Sequence, residues 1–130
     1  YNLITPNALI SSLENIYQLI GLKRIKNIFP KNYILKDRED FVWGKTGTLR
    51  NNHNYSGYII TDKGRIYVFS IMNNHFTNDL AKIKEAIADF LIYLKQQYKN
   101  HLHCLHHQAI FVFHIPIITR TLIEENFLSD

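Results

Sequence analysis

FVWGKTGTLRNNHNYSGYIITDKGRIYVFSIM, residues 41–72, is the most regular stretch of the chain, and its reading decides the fold. Phe41-Val42-Trp43 leads into a strand, Asn51-Asn52-His53-Asn54 is a cluster of turn formers, and Tyr55 to Thr61 is a second strand rich in β-branched and aromatic residues. Asp62-Lys63-Gly64 makes a tight turn in which Gly64 can take positive φ. The third strand, Arg65 to Met72, is apolar nearly throughout, the pattern of a strand covered on both faces. Three strands joined by short turns form an antiparallel meander.

A helix is expected on each side of it in sequence. Upstream, Thr5-Pro6 supplies a capping hydroxyl and a proline where the missing N–H costs nothing; Leu9, Leu13, Ile16, Tyr17 and Ile20 then recur at helical spacing until Gly21 closes the helix. Leu22 to Asp40, interrupted by Pro30 and ending in the mixed-charge run Lys36-Asp37-Arg38-Glu39-Asp40, reads as a connecting region. Downstream, Thr77 or Asn78 can cap a helix whose apolar stripe runs through Leu80, Ile83, Ile87, Phe90, Leu91, Leu94 and Tyr98. Burying such side chains stabilises by roughly 1.5–3 kcal/mol each, so this helix should lie on the sheet. The expected fold class is α+β, a three-stranded antiparallel meander with flanking N- and C-terminal helices.

Composition narrows the function classes without naming one. A chain of 130 residues with 46% hydrophobic and 20% charged residues is one globular domain at most. Its formal charge of +4 and pI near 9.2 permit an anionic partner but do not specify it. The single cysteine, Cys104, excludes an intramolecular disulfide. The longest apolar run, Ala109 to Ile118, is broken by His114 and Pro116, so no membrane-spanning helix is expected. No targeting signal precedes the first helix, and an opening Tyr1 rather than Met reads as a cut.

Charge is also unevenly distributed. Fourteen of the fifteen Lys and Arg lie at or before Lys99, whereas residues 101–130 hold only Arg120 together with five of the seven His. The expected division is therefore 1–100 as the domain and 101–130 as a His-rich, apolar tail whose origin the sequence does not assign. Within that tail His101 to His107 offers five potential metal ligands but no standard finger spacing, so no metal site is assigned. Ala109 to Ile115 can pair as a strand.

Chemistry concentrates in Trp43-Gly44-Lys45-Thr46-Gly47-Thr48-Leu49. A glycine inside a strand weakens it and is tolerated where a ligand or another backbone comes close. Lysine and two hydroxyls around Gly47 suit an anion such as a carboxylate. A phosphate-binding P-loop is rejected, because Glu39 stands where that loop's first glycine should be. Trp43 reads as core, Arg50 equally as a residue that reaches an anionic substrate or as a solvated turn residue, and His53 and His75 as turn residues with no acidic partner for general-base work. Lys23, Arg24, Lys26 and Lys31 lie near one another, but no nucleic-acid motif accompanies them, and no nucleic-acid partner is assigned.

Lys45-Thr46-Gly47-Thr48-Leu49, Asn51-Asn52-His53-Asn54, Ser56-Gly57-Tyr58 and Phe69 to Asn74, in that order, resemble the C-terminal part of penicillin-binding proteins of the serine-type D-alanyl-D-alanine carboxypeptidase/endopeptidase family. The likeness covers residues 5 to about 98 and is strongest from Val42 to His75. It implies a helix-covered sheet of the penicillin-binding/serine β-lactamase-like kind, with the Lys-Thr-Gly strand lining the cleft. It implies that Lys45 acts at the catalytic centre, that Thr46 and Thr48 donate hydroxyls to the terminal carboxylate of a peptidoglycan stem peptide, and that Gly47 lets the substrate lie against the strand. The N–H of Thr48 would join an oxyanion hole.

Partners implied for the intact parent are stem peptides, β-lactams and the remainder of its own chain, outside the cytoplasmic membrane and with no cofactor. The family's Ser-x-x-Lys and Ser-x-Asn motifs do not occur in these 130 residues. This chain is accordingly expected to be inactive alone. The second reading from the same residues is a non-catalytic α+β domain for binding or assembly.

Overall fold

The computed structural model describes residues 4–35, 38–77 and 79–97, and the backbone of 110–114. In order, α1 is Pro6–Ile28, β1 Val42–Leu49, β2 Asn52–Ile60, β3 Ile66–Asn74, α2 Leu80–Gln97 and β4 Ile110–His114. The first three strands form the expected antiparallel meander, β1 pairing β2 and β2 pairing β3. The tail segment Ile110–His114 adds a fourth strand, parallel to β3 at its outer edge. The boundary expected at residue 100, the His-rich run and the putting of Asn78 at a cap all fall outside the described residues.

Helix α1 begins as its sequence directs, with the Thr5 hydroxyl accepting from Ala8 N at 3.2 Å and Pro6 in the first turn. Gly21 (φ 69°, ψ 168°) breaks the helical path as expected, but helix resumes after it through Ile28 and buries Ile25. The connecting region is therefore shorter than its weak periodicity suggests: one buried side chain anchors that second segment, too few for a visible stripe. At α2, the Asp79 carboxylate accepts from Ala81 N at 3.1 Å. Asp79, rather than Thr77, is the capping residue.

Strand alternation sorts the side chains onto two faces. Val42, Tyr55, Ile59, Tyr67, Phe69 and Ile71 pack under α2 with Ile83, Ile87, Phe90, Leu91 and Leu94. Trp43, Tyr58 and Val68 face α1, against Ile10, Leu13 and Ile25. The Tyr58 hydroxyl donates to the Leu13 carbonyl at 2.6 Å and ties helix to sheet; burial pushes that phenol up to about 12. At the far end, Lys95 pairs with Asp62 and its carbonyl accepts from Asp62 N, which fixes α2 to the β2–β3 turn.

Both turns depend on positive φ. Gly64 (φ 73°) closes the β2–β3 turn as expected. The β1–β2 turn is only Arg50-Asn51, with Asn51 at φ 58°, a conformation asparagine tolerates. Asn52, His53 and Asn54, expected in the turn, are instead the start of β2. One residue able to reverse the chain was enough, and the ladder extended to meet it.

Candidate functional site

Gly44 and Gly57 stand directly opposite each other in the β1–β2 register. A Cβ on Gly57 would lie 2.2 Å from the Trp43 carbonyl oxygen and 2.4 Å from Gly44 Cα; one on Gly44 would meet the Ser56 oxygen at 2.6 Å. The close backbone approach expected of a glycine in this strand thus occurs at Gly44 and Gly57. Gly47 has nothing within 4 Å of its Cβ position, so its face of the strand is open.

The outer edge of β1 is covered along half its length. Val42 O accepts from Asn32 N at 2.8 Å and Gly44 N donates to Pro30 O at 2.9 Å, so the backbone groups of these even-numbered residues point away from β2. Alternation then turns the N–H and C=O of Thr46 and Thr48 to the same side. No described strand occupies that part of the edge.

Asn32 sets where the cover ends. It is buried at φ 41°, accepts from Phe41 N and Val42 N at 3.2 and 3.1 Å, and donates to Arg38 O and Glu39 O at 3.2 and 2.7 Å. Its side chain satisfies four backbone groups that the loop would otherwise leave unpaired. Its signal in the connecting region is slight: an asparagine, which can take positive φ, two residues after Pro30.

On the open half, Lys45 and Gly47 lie opposite Ser56 and Asn54, on the α1 face. Thr46 and Thr48 lie opposite Tyr55 and His53, on the α2 face. The two threonine hydroxyls, two residues apart on one face, can address one ligand. Lys45, Gly47 and Thr48 are exposed and Thr46 is half-buried. The Lys45 ammonium donates to the Thr46 carbonyl at 2.8 Å, a local bond that an incoming anion can replace.

Behind this strand a polar row crosses the sheet. The Thr48 hydroxyl is 2.7 Å from His53 Nδ1, and His53 lies opposite Asn73 on β3. His53 is fully buried and its pKa is held below 6.5, first by desolvation and then by the charge of Lys84. Its place in a cluster of turn formers suggests a turn histidine, but continuing the Tyr55, Gly57, Ile59 alternation backward puts it on the α2 face.

The other sequence candidates have structural places. Trp43 is core, with Lys26 Nζ 4.5 Å above its ring, and Lys31 pairs with Asp40 at 2.8 Å. His75 N donates to the Asn52 side chain at 2.9 Å. Among the described residues no three His, Cys, Asp or Glu side chains converge on a metal position, and no helix is long and apolar enough to cross a membrane.

No curated protein and no solved structure matches the chain significantly. The model of the D-Ala-D-Ala carboxypeptidase 3 (S13) family matches residues 1–94, more than two thirds of the length, and the chain belongs to that family.

Proposed function

We propose that this chain is the C-terminal part of a serine-type D-Ala-D-Ala carboxypeptidase/endopeptidase and supplies the substrate-binding edge of its cleft. The observation that carries this reading is the half-covered β1 edge, on which cover stops just before Lys45, Thr46, Gly47 and Thr48. A stem peptide laid along that edge would exchange backbone hydrogen bonds with Thr46 and Thr48. Gly47, without a side chain, leaves the α1 face clear. The Lys45 side chain bends to the strand edge, where its ammonium meets the outward Thr46 carbonyl, so it brings a positive charge toward a terminal carboxylate at that edge, to which the hydroxyls of Thr46 and Thr48 donate.

Chemistry would divide between this piece and the rest of the parent. The nucleophilic serine and its lysine come from a Ser-x-x-Lys motif outside these residues, and the acyl carbonyl oxygen is held in part by the Thr48 N–H. One such donor is worth about 3–4 kcal/mol in related acyl transfer. The parent works on peptidoglycan outside the cytoplasmic membrane and is acylated there by β-lactams.

Reading the coding sequence upstream of Tyr1 and expressing the longer protein tests this. Ser-x-x-Lys and Ser-x-Asn are expected in frame, fluorescent penicillin should acylate the longer protein but not the 130-residue chain, and Lys45→Ala should slow acylation by about 100-fold. A longer protein with neither motif would leave the non-catalytic binding or assembly reading in its place.

A further inference from the structure

Thr48, His53 and Asn73 occupy matching positions on β1, β2 and β3, so their side chains form one row on the α2 face of the sheet. Two atoms in the row are buried with no hydrogen-bond partner: His53 Nε2 and Asn73 Nδ2. Asn73 Nδ2 can only donate. A neutral imidazole has one nitrogen that donates and one that accepts, and its two tautomers differ in which does so. With the Asn73 amide oriented as it is, a proton on Nε2 would leave two unpartnered donors buried at the His53–Asn73 position. With the proton on Nδ1, Nε2 is an acceptor that complements the unpartnered Asn73 donor at the register position opposite.

We infer that His53 is a positioning residue for the anion site: its Nδ1–H donates to Thr48 Oγ1, its Nε2 faces the Asn73 amide, and the Thr48 hydroxyl proton is thereby turned outward to a ligand carboxylate. The assignment rests on the reading of Thr48 proposed above. A free threonine hydroxyl beside an imidazole can equally donate inward to the ring, where its proton is lost to the ligand. Filling its acceptor side with a ring N–H removes that choice before the ligand arrives, and such preorganisation of a donor is what a binding edge gains from a buried neighbour. Burial opposes a second proton on the ring, and the positive charge of Lys84 on α2 adds to that.

The test uses the whole chain labelled with 15N-histidine, its His53 signals assigned by comparison with His53→Asn. Ring 15N shifts at pH 7.5 are expected to show a neutral ring protonated on Nδ1; an Nε2–H tautomer, or a charged ring, would overturn the inference. Binding of diacetyl-L-Lys-D-Ala-D-Ala is then compared with that of its C-terminal amide. His53→Leu should weaken the carboxylate form by about tenfold while leaving the amide form unchanged, the size of one charge-assisted hydrogen bond. His53→Asn, whose Nδ2 can stand where Nδ1 stood, should restore most of the loss. Equal losses for both peptides, or no rescue by asparagine, would assign His53 to packing alone. Failure of the unsubstituted chain to bind either peptide would count against the proposed function, whereas the ring tautomer is read without ligand and still decides the inference.

Discussion

Two glycines in neighbouring strands carry opposite consequences at the residue scale. Gly57→Ala drives a Cβ into the Trp43 carbonyl, at 2.2 Å from rigid backbone, so β1 and β2 must separate. A loss of about 3 kcal/mol is expected in urea unfolding, at the upper end of overpacking costs. Gly47→Ala meets nothing within 4 Å; it should shift stability by no more than about 0.5 kcal/mol and act instead on peptide binding. Equal stabilities for the two variants would contradict the packing. His53 adds a pH signature. Its folded pKa lies below the ordinary 6.5, so between those values the unfolded chain holds a proton that the folded chain does not. Stability therefore falls as pH drops below about 6.5 and the loss is complete once pH passes the folded pKa, with a slope of at most about 1.4 kcal/mol per pH unit. Unfolding at pH 7.5 and 5.5 should show this component in the unsubstituted chain and not in His53→Asn.

At the scale of elements, the loop from Pro30 to Phe41 does more than connect. Removing the Asn32 side chain strands the buried N–H groups of Phe41 and Val42 and frees the cover from β1. Asn32→Ala is expected to cost about 3 kcal/mol, from two unpaired donors and a positive φ that alanine resists; unchanged unfolding would show that the loop closes without it. This element also marks how far the sequence was legible. The three strands, the Thr5-Pro6 start and the stripe of α2 were readable because each is a period repeated several times over. Lys45 to Thr48 stood out by residue type alone. The Gly44–Gly57 contact and the His53 row were not readable, because each depends on which residues the register sets opposite one another, and Asn32 was not, because its partners are backbone groups brought to it by the folding of the loop. The second segment of α1 escaped for a related reason: Ile25 is its single buried anchor, and one residue makes no period.

For the whole molecule, the two edges of the sheet are treated differently, and that difference can be measured. Beyond β3 lies β4, while among the described residues β1 is covered from Pro30 to Asn32 and no strand pairs with its outer edge from Lys45 onward. An unpaired edge invites pairing with another chain, and a lysine on it is a common deterrent. Here Lys45 occupies the bare segment and already satisfies the outward Thr46 carbonyl. Amide hydrogen exchange should therefore rank the strands by position. Amides of β2, paired on both sides, should open only with global unfolding, and Gly44 N–H, bonded to Pro30 O, should be protected though it points outward. Thr46 and Thr48 N–H should exchange near the rate of an unstructured chain in dilute solution, and Thr48 should slow when diacetyl-L-Lys-D-Ala-D-Ala is added. Slow exchange at both threonines in the dilute, unliganded chain would mean that the edge is closed, and with it the proposed route by which a peptide reaches Lys45, Thr46 and Thr48.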